Sequence, residues 1–357
     1  MKLRIRRIEK AQDFVALAPI WAQLAKDSGQ LSPFLSYDWF WCCWHGVVPQ
    51  HRPEILLMED TAGPVAIVPL MHWKGSVRGL PVHSLGFLEC PSTPSTDVLT
   101  LAGHNRVIEA LLDHLAARSD WDMIWLQKLP VTSPTLKTLE DILPGRLPWR
   151  RAGHLACPFV AIDGDWERFC RTMNAPFADI HRPINAQLQR AGDLRLEEHR
   201  LVDLQSPLLQ KTLALMNLQT QRDHVIAAMP RQREFFHALT QRAAKNDWLS
   251  LWTLKLDGHI VAIEYQLHSH GKVQVLAAGE DPSYRALLPW PELNLAILQA
   301  LFQSGCANEY SLGPAVQDEH LWRAHGHHQL VHLKLYRPSL YTRLLAQIER
   351  PTVSEVG

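Results

Sequence analysis

No sign of charge predominates in this sequence: Lys plus Arg number 36, and Asp plus Glu also number 36. Without a net field, nucleic acid or anionic lipid is recruited only through a local patch, so no DNA partner is expected. Long apolar runs are missing too. None approaches the ~20 residues that span a bilayer, and the charged start Met1-Lys2-Leu3-Arg4-Ile5-Arg6-Arg7 has no apolar segment behind it. The expectation is a cytoplasmic protein with no integral membrane segment. Cysteine is sparse: Cys42, Cys43, Cys90, Cys157, Cys170 and Cys306 have neither paired metal-ligand spacing nor the density of a disulfide framework, and are read as reduced. A Walker loop, a dinucleotide fingerprint and a nucleophile elbow are absent as well. His325, His327, His328 and His332 lie close together, but no nearby Cys or carboxylate completes a ligand set, so no metal is expected.

What is present is a repeat. Leu56 to Leu70 reads as strand, polar turn, strand, and Leu251 to Tyr265 repeats it around Asp257-Gly258. Each hairpin is followed by further strand-like residues, an amphipathic helix (Asn105 to Ala117, then Glu292 to Ser304) and another short strand. A strand meander that runs into a helix and back to a strand makes a compact layer with one helix-covered sheet. The fold class is therefore α+β, with mixed sheets. A length of 357 residues suits two domains of ordinary size. Pro144 to Gly153, punctuated by Pro and Gly, reads as the linker, and the division falls at 1–162 and 163–357. Thirteen tryptophans are unusual. Trp39, Trp41 and Trp44 cluster with Phe34, Tyr37 and Phe40, which is read as an aromatic helix packed on the first sheet.

Candidate chemistry sits mainly in the second half. Glu264 lies in a hydrophobic strand beside Tyr265, and Glu264, Gln266 and His268 alternate onto one face. That face is either solvated or the seat of an acid–base group, with Glu264 the leading candidate. Tyr284 and Tyr310 are candidates to protonate a departing thiolate or bind an acceptor, against ordinary packing roles. Asp97 follows the polar loop that starts at Glu89 and is read as an acceptor-binding residue or a turn cap.

The strand and helix order from Leu249 to Tyr336 resembles the GNAT acyltransferase core. The whole chain resembles the tandem-GNAT proteins linked to cellulose and exopolysaccharide synthesis, distant relatives of Fem-type peptidyltransferases. The residues that carry this are Phe34-Leu35-Ser36-Tyr37-Asp38-Trp39, Ala66-Ile67-Val68-Pro69-Leu70, Asp97, Gln221-Arg222, Leu256 to Ala262, Asp281-Pro282-Ser283-Tyr284 and Tyr310-Ser311-Leu312-Gly313. The resemblance implies two tandem GNAT-like domains and transfer of an acyl group from acyl-CoA (acetyl-CoA) or an acyl carrier protein. It implies an amine or hydroxyl acceptor on a small molecule or glycan, with Arg222 and Asp97 binding it. The pantetheine arm is expected along Ala277, Ala278 and Gly279, with phosphates near Leu288, Trp290 and Glu292 at a helix N-terminus. Two departures stand out. Pro289 and Pro291 remove N–H donors where relatives place a glycine, and Arg323 stands beside Trp322 where relatives often carry a lysine. Aminoacyl transfer from charged tRNA, and a noncatalytic GNAT-fold binding protein, are the competing implications.

Overall fold

The computed structural model describes residues 3–46, 51–90, 92–101, 104–172, 184–222, 232–313 and 325–349. Two compact units result: Met1–Leu155 with Gln329–Gly357, and Ala156–His328. The division at 162/163 differs from this, because it leaves residues 329–357 with the second half. Strand pairing explains the difference. β13 (Gly326–Tyr336) runs antiparallel to β6 (Met123–Pro130), with Leu330 opposite Pro130 and Tyr336 opposite Met123. Val331, Leu333 and Leu335 thereby join the first unit's core beside Ile124 and Leu126.

That return strand makes a strong stability prediction. Burying three such side chains contributes about 5–9 kcal/mol, which is comparable with the whole stability of a domain. A chain ending at His328 is expected to lose the first unit's cooperative unfolding transition. Calorimetry showing that transition at an unchanged temperature would contradict the assignment.

In the first unit β1 (Arg4–Ile8), β2 (Arg52–Glu59), β3 (Pro64–Val77) and β4 (Leu80–Phe87) pair antiparallel in sequence order, and β5 (Leu99–Thr100) adds to β3. The chain then forms α4 (His104–Ala116) and returns as β6, parallel to β4. Val107, Ile108, Leu111, Leu112 and Leu115 recur at helical spacing, so one face of α4 is buried against Leu56, Val68 and Leu85. Between β1 and β2 lie α1 (Ala11–Ala16), α2 (Ala18–Ser28) and α3 (Tyr37–Gly46). Their aromatic side chains pack on one another, with Phe14 stacked on Trp44 at a centroid distance of 4.5 Å and Trp21 and Trp39 fully buried. α5 (Pro134–Ile142) was not among the expected elements, although Ser133 at its N-cap and Pro134 in its first turn are ordinary start signals.

The expected linker is a strand over half its length. β7 (Trp149–Ala161) starts inside it and ends in the second unit. There β7 pairs antiparallel with β12 (Glu309–Ser311), and β12 pairs parallel with β11 (Lys272–Glu280). Next in order come β10 (His259–Ser269), β9 (Leu249–Leu256) and β8 (Leu194–His199), all antiparallel. The hairpin turns Asp257-Gly258 (φ 48° and 79°) and His270-Gly271 (φ 52° and 73°) put both central residues in the left-handed region, as a two-residue turn between twisted strands requires. Five described helices complete the unit: α6 (Trp166–Thr172), α7 (184–191), α8 (Pro207–Arg222), α9 (Gln232–Lys245) and α10 (Pro289–Ser304). α10 lays Leu293, Ile297, Leu298 and Leu301 over Trp252, Leu254, Ala262 and Val273. The last described helix, α11 (Leu340–Ile348), follows β13.

Both units share one order: three antiparallel strands, a helix, then a strand parallel to the third. In the first it is β2-β3-β4-α4-β6, and in the second β9-β10-β11-α10-β12. The duplication read from the two hairpins is therefore present as repeated topology in a mixed α/β fold. No described helix is long and apolar enough to cross a membrane.

Candidate active site

In the second unit β11 parts from β12 after only three paired positions, Lys272 to Gln274 against Glu309 to Ser311. A register shift coincides with the parting. Gln266 faces Val275 but Tyr265 faces Ala277, so Leu276 is the extra residue of a bulge, which bends the strand. At the last paired position the Gln274 carboxamide donates to the carbonyls of Val275 (3.0 Å) and Ser311 (3.4 Å). Beyond it Leu276, Ala277 and Ala278 are half-buried, and no described strand pairs with that edge of β11. On the opposite face α8 packs so closely at Gly279 that a Cβ there would stand 2.7 Å from the Leu215 carbonyl oxygen. Gly279 thus serves helix packing, and the edge without a described strand partner runs along Leu276 to Ala278.

Glu264 sits directly opposite Ala278 in the β10–β11 register, so the two share a face of the sheet. The face is covered. Glu264, Gln266, Asn294 and Tyr310 are each at most 1% exposed, so the solvated reading of this strand face does not hold. Glu264 Oε1 accepts from the Tyr310 hydroxyl (2.5 Å) and Gln266 Nε2 (2.6 Å), while Oε2 accepts from Asn294 Nδ2 (2.8 Å). Asn294 Nδ2 also reaches the Tyr310 hydroxyl. Removal from water pushes the Glu264 carboxyl above the usual carboxylate range, outweighing the three donors that favour the anion. Burial and the adjacent carboxylate push the Tyr310 phenol well up. The result is a carboxyl that takes a proton readily, hydrogen-bonded to a protonated phenol.

Two of the three sequence candidates for catalysis, Glu264 and Tyr310, are therefore in contact. Tyr284 lies in the 3-10 turn Pro282–Leu287 that follows β11, half-buried against the second unit's core. Asn294 and Gln266 complete the network. Gln266 was visible in the alternating strand, whereas Asn294 was missed although it interrupts an apolar helical stripe. Of the expected phosphate-binding residues, Leu288 has φ 53° and is 43% exposed, Trp290 is half-buried, and Glu292 is buried with its Oε1 accepting from Asn185. Asp97 belongs to the first unit, where its carboxylate accepts the Val98 N–H at 2.7 Å. The side chain of Arg222, and both Trp322 and Arg323, lie outside the described residues.

The corresponding place in the first unit is filled by the chain itself. β4 pairs with β6 at Ser84 to Gly86, and farther along β6 the carbonyl of Lys128 accepts the Thr96 N–H at 3.0 Å while that of Gln127 accepts the Thr96 hydroxyl. Lys128 Nζ ties the same loop down through the Thr93 carbonyl (3.0 Å) and Glu89 (3.1 Å). On the face of β3 that packs under α4 the first hairpin carries Ala66, Val68 and Leu70, all apolar. The first unit thus has neither an open edge nor the carboxyl.

Residues 180–325 match an acetyltransferase (GNAT) domain. The match covers the second unit's meander, α10 and the Glu264 network. Solved structures extend the likeness of fold to nearly the whole chain. FemX superposes with a TM-score of 0.56 at 11% identity, covering 97% of this chain and 100% of its own. A tandem GNAT protein from the clavulanic acid biosynthesis pathway gives 0.53 at 10% identity, covering 95% and 99%. L-PGS from Bacillus licheniformis gives 0.50 at 11%, covering 95% and 96%. No curated protein matches the sequence. The GNAT domain match thus lies in the second unit, the likeness of fold extends over nearly the whole chain, and the strand edge and buried network lie inside the matched span.

Proposed function

We propose that the second unit is the catalytic half of a cytoplasmic acyltransferase, which moves an acyl group from a pantetheine thioester to an amine or hydroxyl of a sugar-derived or envelope-related acceptor. The observation that carries this reading is the register between Ala278 and Glu264. A pantetheine arm added along the β12-side edge of β11 at Leu276 to Ala278 lies two strand spacings, about 10 Å, from β10, in the row of the sheet that holds Ala278 and Glu264. Aligning acceptor and carbonyl is most of the catalysis, because a thioester needs no protein nucleophile. The acceptor N or O attacks, its bond to the acyl carbon forms, and the C–S bond breaks. The acceptor's proton goes to Glu264. Tyr310 gives its hydroxyl proton to the departing thiolate and regains one from Glu264, so no proton is left over. An exopolysaccharide or envelope pathway as the setting rests on the family resemblance. Aminoacyl transfer from charged tRNA is the second reading, supported by the fold shared with FemX.

The test is a thermal-shift and transfer panel of acyl-CoA, acylated carrier protein and charged tRNA. A donor that binds only the folded chain raises its melting temperature. Ala278→Trp is expected to abolish the shift by a thioester while leaving the unliganded melting temperature within a few degrees. An unchanged calorimetric affinity would place the arm elsewhere. Response to charged tRNA alone would favour the second reading, and no response to any donor would favour a noncatalytic binding protein. Because the first unit's place is filled by Thr96 and its loop, titration calorimetry is expected to give one donor per chain. Two equivalent donors per chain would contradict that assignment.

A further inference from the structure

The start of α10 is closed to a diphosphate in three independent ways. Pro289 and Pro291 carry no N–H, so two of the donors that a helix N-terminus offers an anion are missing. The turn is also roofed over: Pro289, Pro291 and Glu292 are buried, and Asn185 of α7 donates to Glu292 Oε1. Glu292 places a carboxyl in the very turn where a phosphate would lie, and its Oε2 has no hydrogen-bond partner among the described residues. Finally, the nearby described cations are already neutralised, Arg285 by Glu280 at 3.0 Å and Lys211 by Asp281 at 2.8 Å. Among the described residues, none of these obstructions lies at Leu276 to Ala278 of β11, and no strand pairs with that edge.

We propose, resting on the thioester reading above, that the donor site recognises the acyl-pantetheine arm alone and takes no binding energy from a nucleotide diphosphate. Its donors are then pantetheine thioesters as a chemical class, whether free, on coenzyme A or on the phosphopantetheine of a carrier protein. The expected phosphate contacts at Leu288, Trp290 and Glu292 are replaced by contacts to the arm only.

The full chain is assayed for thiol release with acetyl-pantetheine, acetyl-CoA and an acetylated holo carrier protein. Adenosine 3′,5′-bisphosphate is the competitor. Acetyl-pantetheine and acetyl-CoA are expected to have kcat/KM values within about 3-fold of each other, with no inhibition by the bisphosphate at millimolar concentration. A carrier-bound thioester more than 10-fold better than both would identify the carrier as the source. Equal rates for all three would show that the arm suffices. Acetyl-CoA better than acetyl-pantetheine by 100-fold or more, or competition by the bisphosphate, would overturn the inference while leaving the thioester reading intact. If none of the three reacts or shifts the melting temperature, the thioester reading itself fails and this inference falls with it.

Discussion

Glu264→Gln is expected to lower turnover by ~10² or more while donor affinity stays within a few-fold. The substitution removes the proton acceptor without opening a cavity. Its structural cost is also small for a specific reason. Asn294 Oδ1 has no hydrogen-bond partner in the network, so a half-turn of the Asn294 carboxamide offers an acceptor to the N–H group that the substitution introduces. Tyr310 can keep its hydroxyl bonded to the oxygen of the introduced carboxamide. The pH profile supplies a second readout. Because burial raises the Glu264 carboxyl, the limb on which activity rises with pH is expected above the usual carboxylate range of about 4.3, and Glu264→Gln should remove that limb. The stability sign runs the other way. A carboxyl raised in the folded state holds its proton to higher pH than in the unfolded chain, so its contribution falls as pH rises from the unfolded value through the folded one. Turnover that hardly changes in Glu264→Gln, with the pH limb intact, would reject Glu264 as the base.

The sequence made some of this legible because the relevant physics is local. Asp257-Gly258 marks a tight hairpin by itself, and the spacing of Leu293, Ile297 and Leu301 marks the buried face of α10 without reference to anything distant. Glu264 was visible as a carboxylate in an apolar strand. Its environment was not, since the alternation Glu264, Gln266, His268 fits a solvated face and a polar core equally well, and only α10 above it decides. Asn294 left a fainter signal, a polar residue among stripe positions. Nothing local tells Leu330 to Leu335 which sheet to join. A strand pattern specifies its face but not its partner, so the return of residues 329–357 to the first unit follows from long-range pairing. The same limit hid β8, which no local pattern singled out and which its pairing with β9 defines. The filled edge of β6 is non-local as well, because it depends on Thr96 meeting Gln127 and Lys128.

The second large effect is expected at Glu54, a residue without a part in the proposed chemistry. Glu54 is 0% exposed in the first unit, yet it holds a charge. Arg118 donates to both oxygens (2.9 and 2.8 Å), Arg7 Nε to Oε1 (2.6 Å), and His72 Nε2 lies 2.5 Å from Oε2. Burial alone would raise the carboxyl, but the bonds from His72 and Arg118 and the charges of Arg118 and Arg7 outweigh it and hold the group down at about 2. A fall from the ordinary 4.5 to about 2 corresponds to ~3 kcal/mol of stability at neutral pH. Because the folded value is depressed, that contribution is fully present above about 4.5 and is lost as pH falls toward 2. Glu54→Gln leaves Arg118 with Asp120 as its remaining carboxylate partner and is expected to cost about 3–5 kcal/mol at pH 7. Denaturant unfolding from pH 7 to pH 3 checks both the size and the sign. The gap between wild type and Glu54→Gln should stay level down to about pH 5 and narrow below about 4.5, where the unfolded chain's carboxyl takes up a proton that the native carboxylate, held at about 2, still refuses. A gap that stays constant across that range would mean that shape and packing, rather than the ion pairs, set the cost.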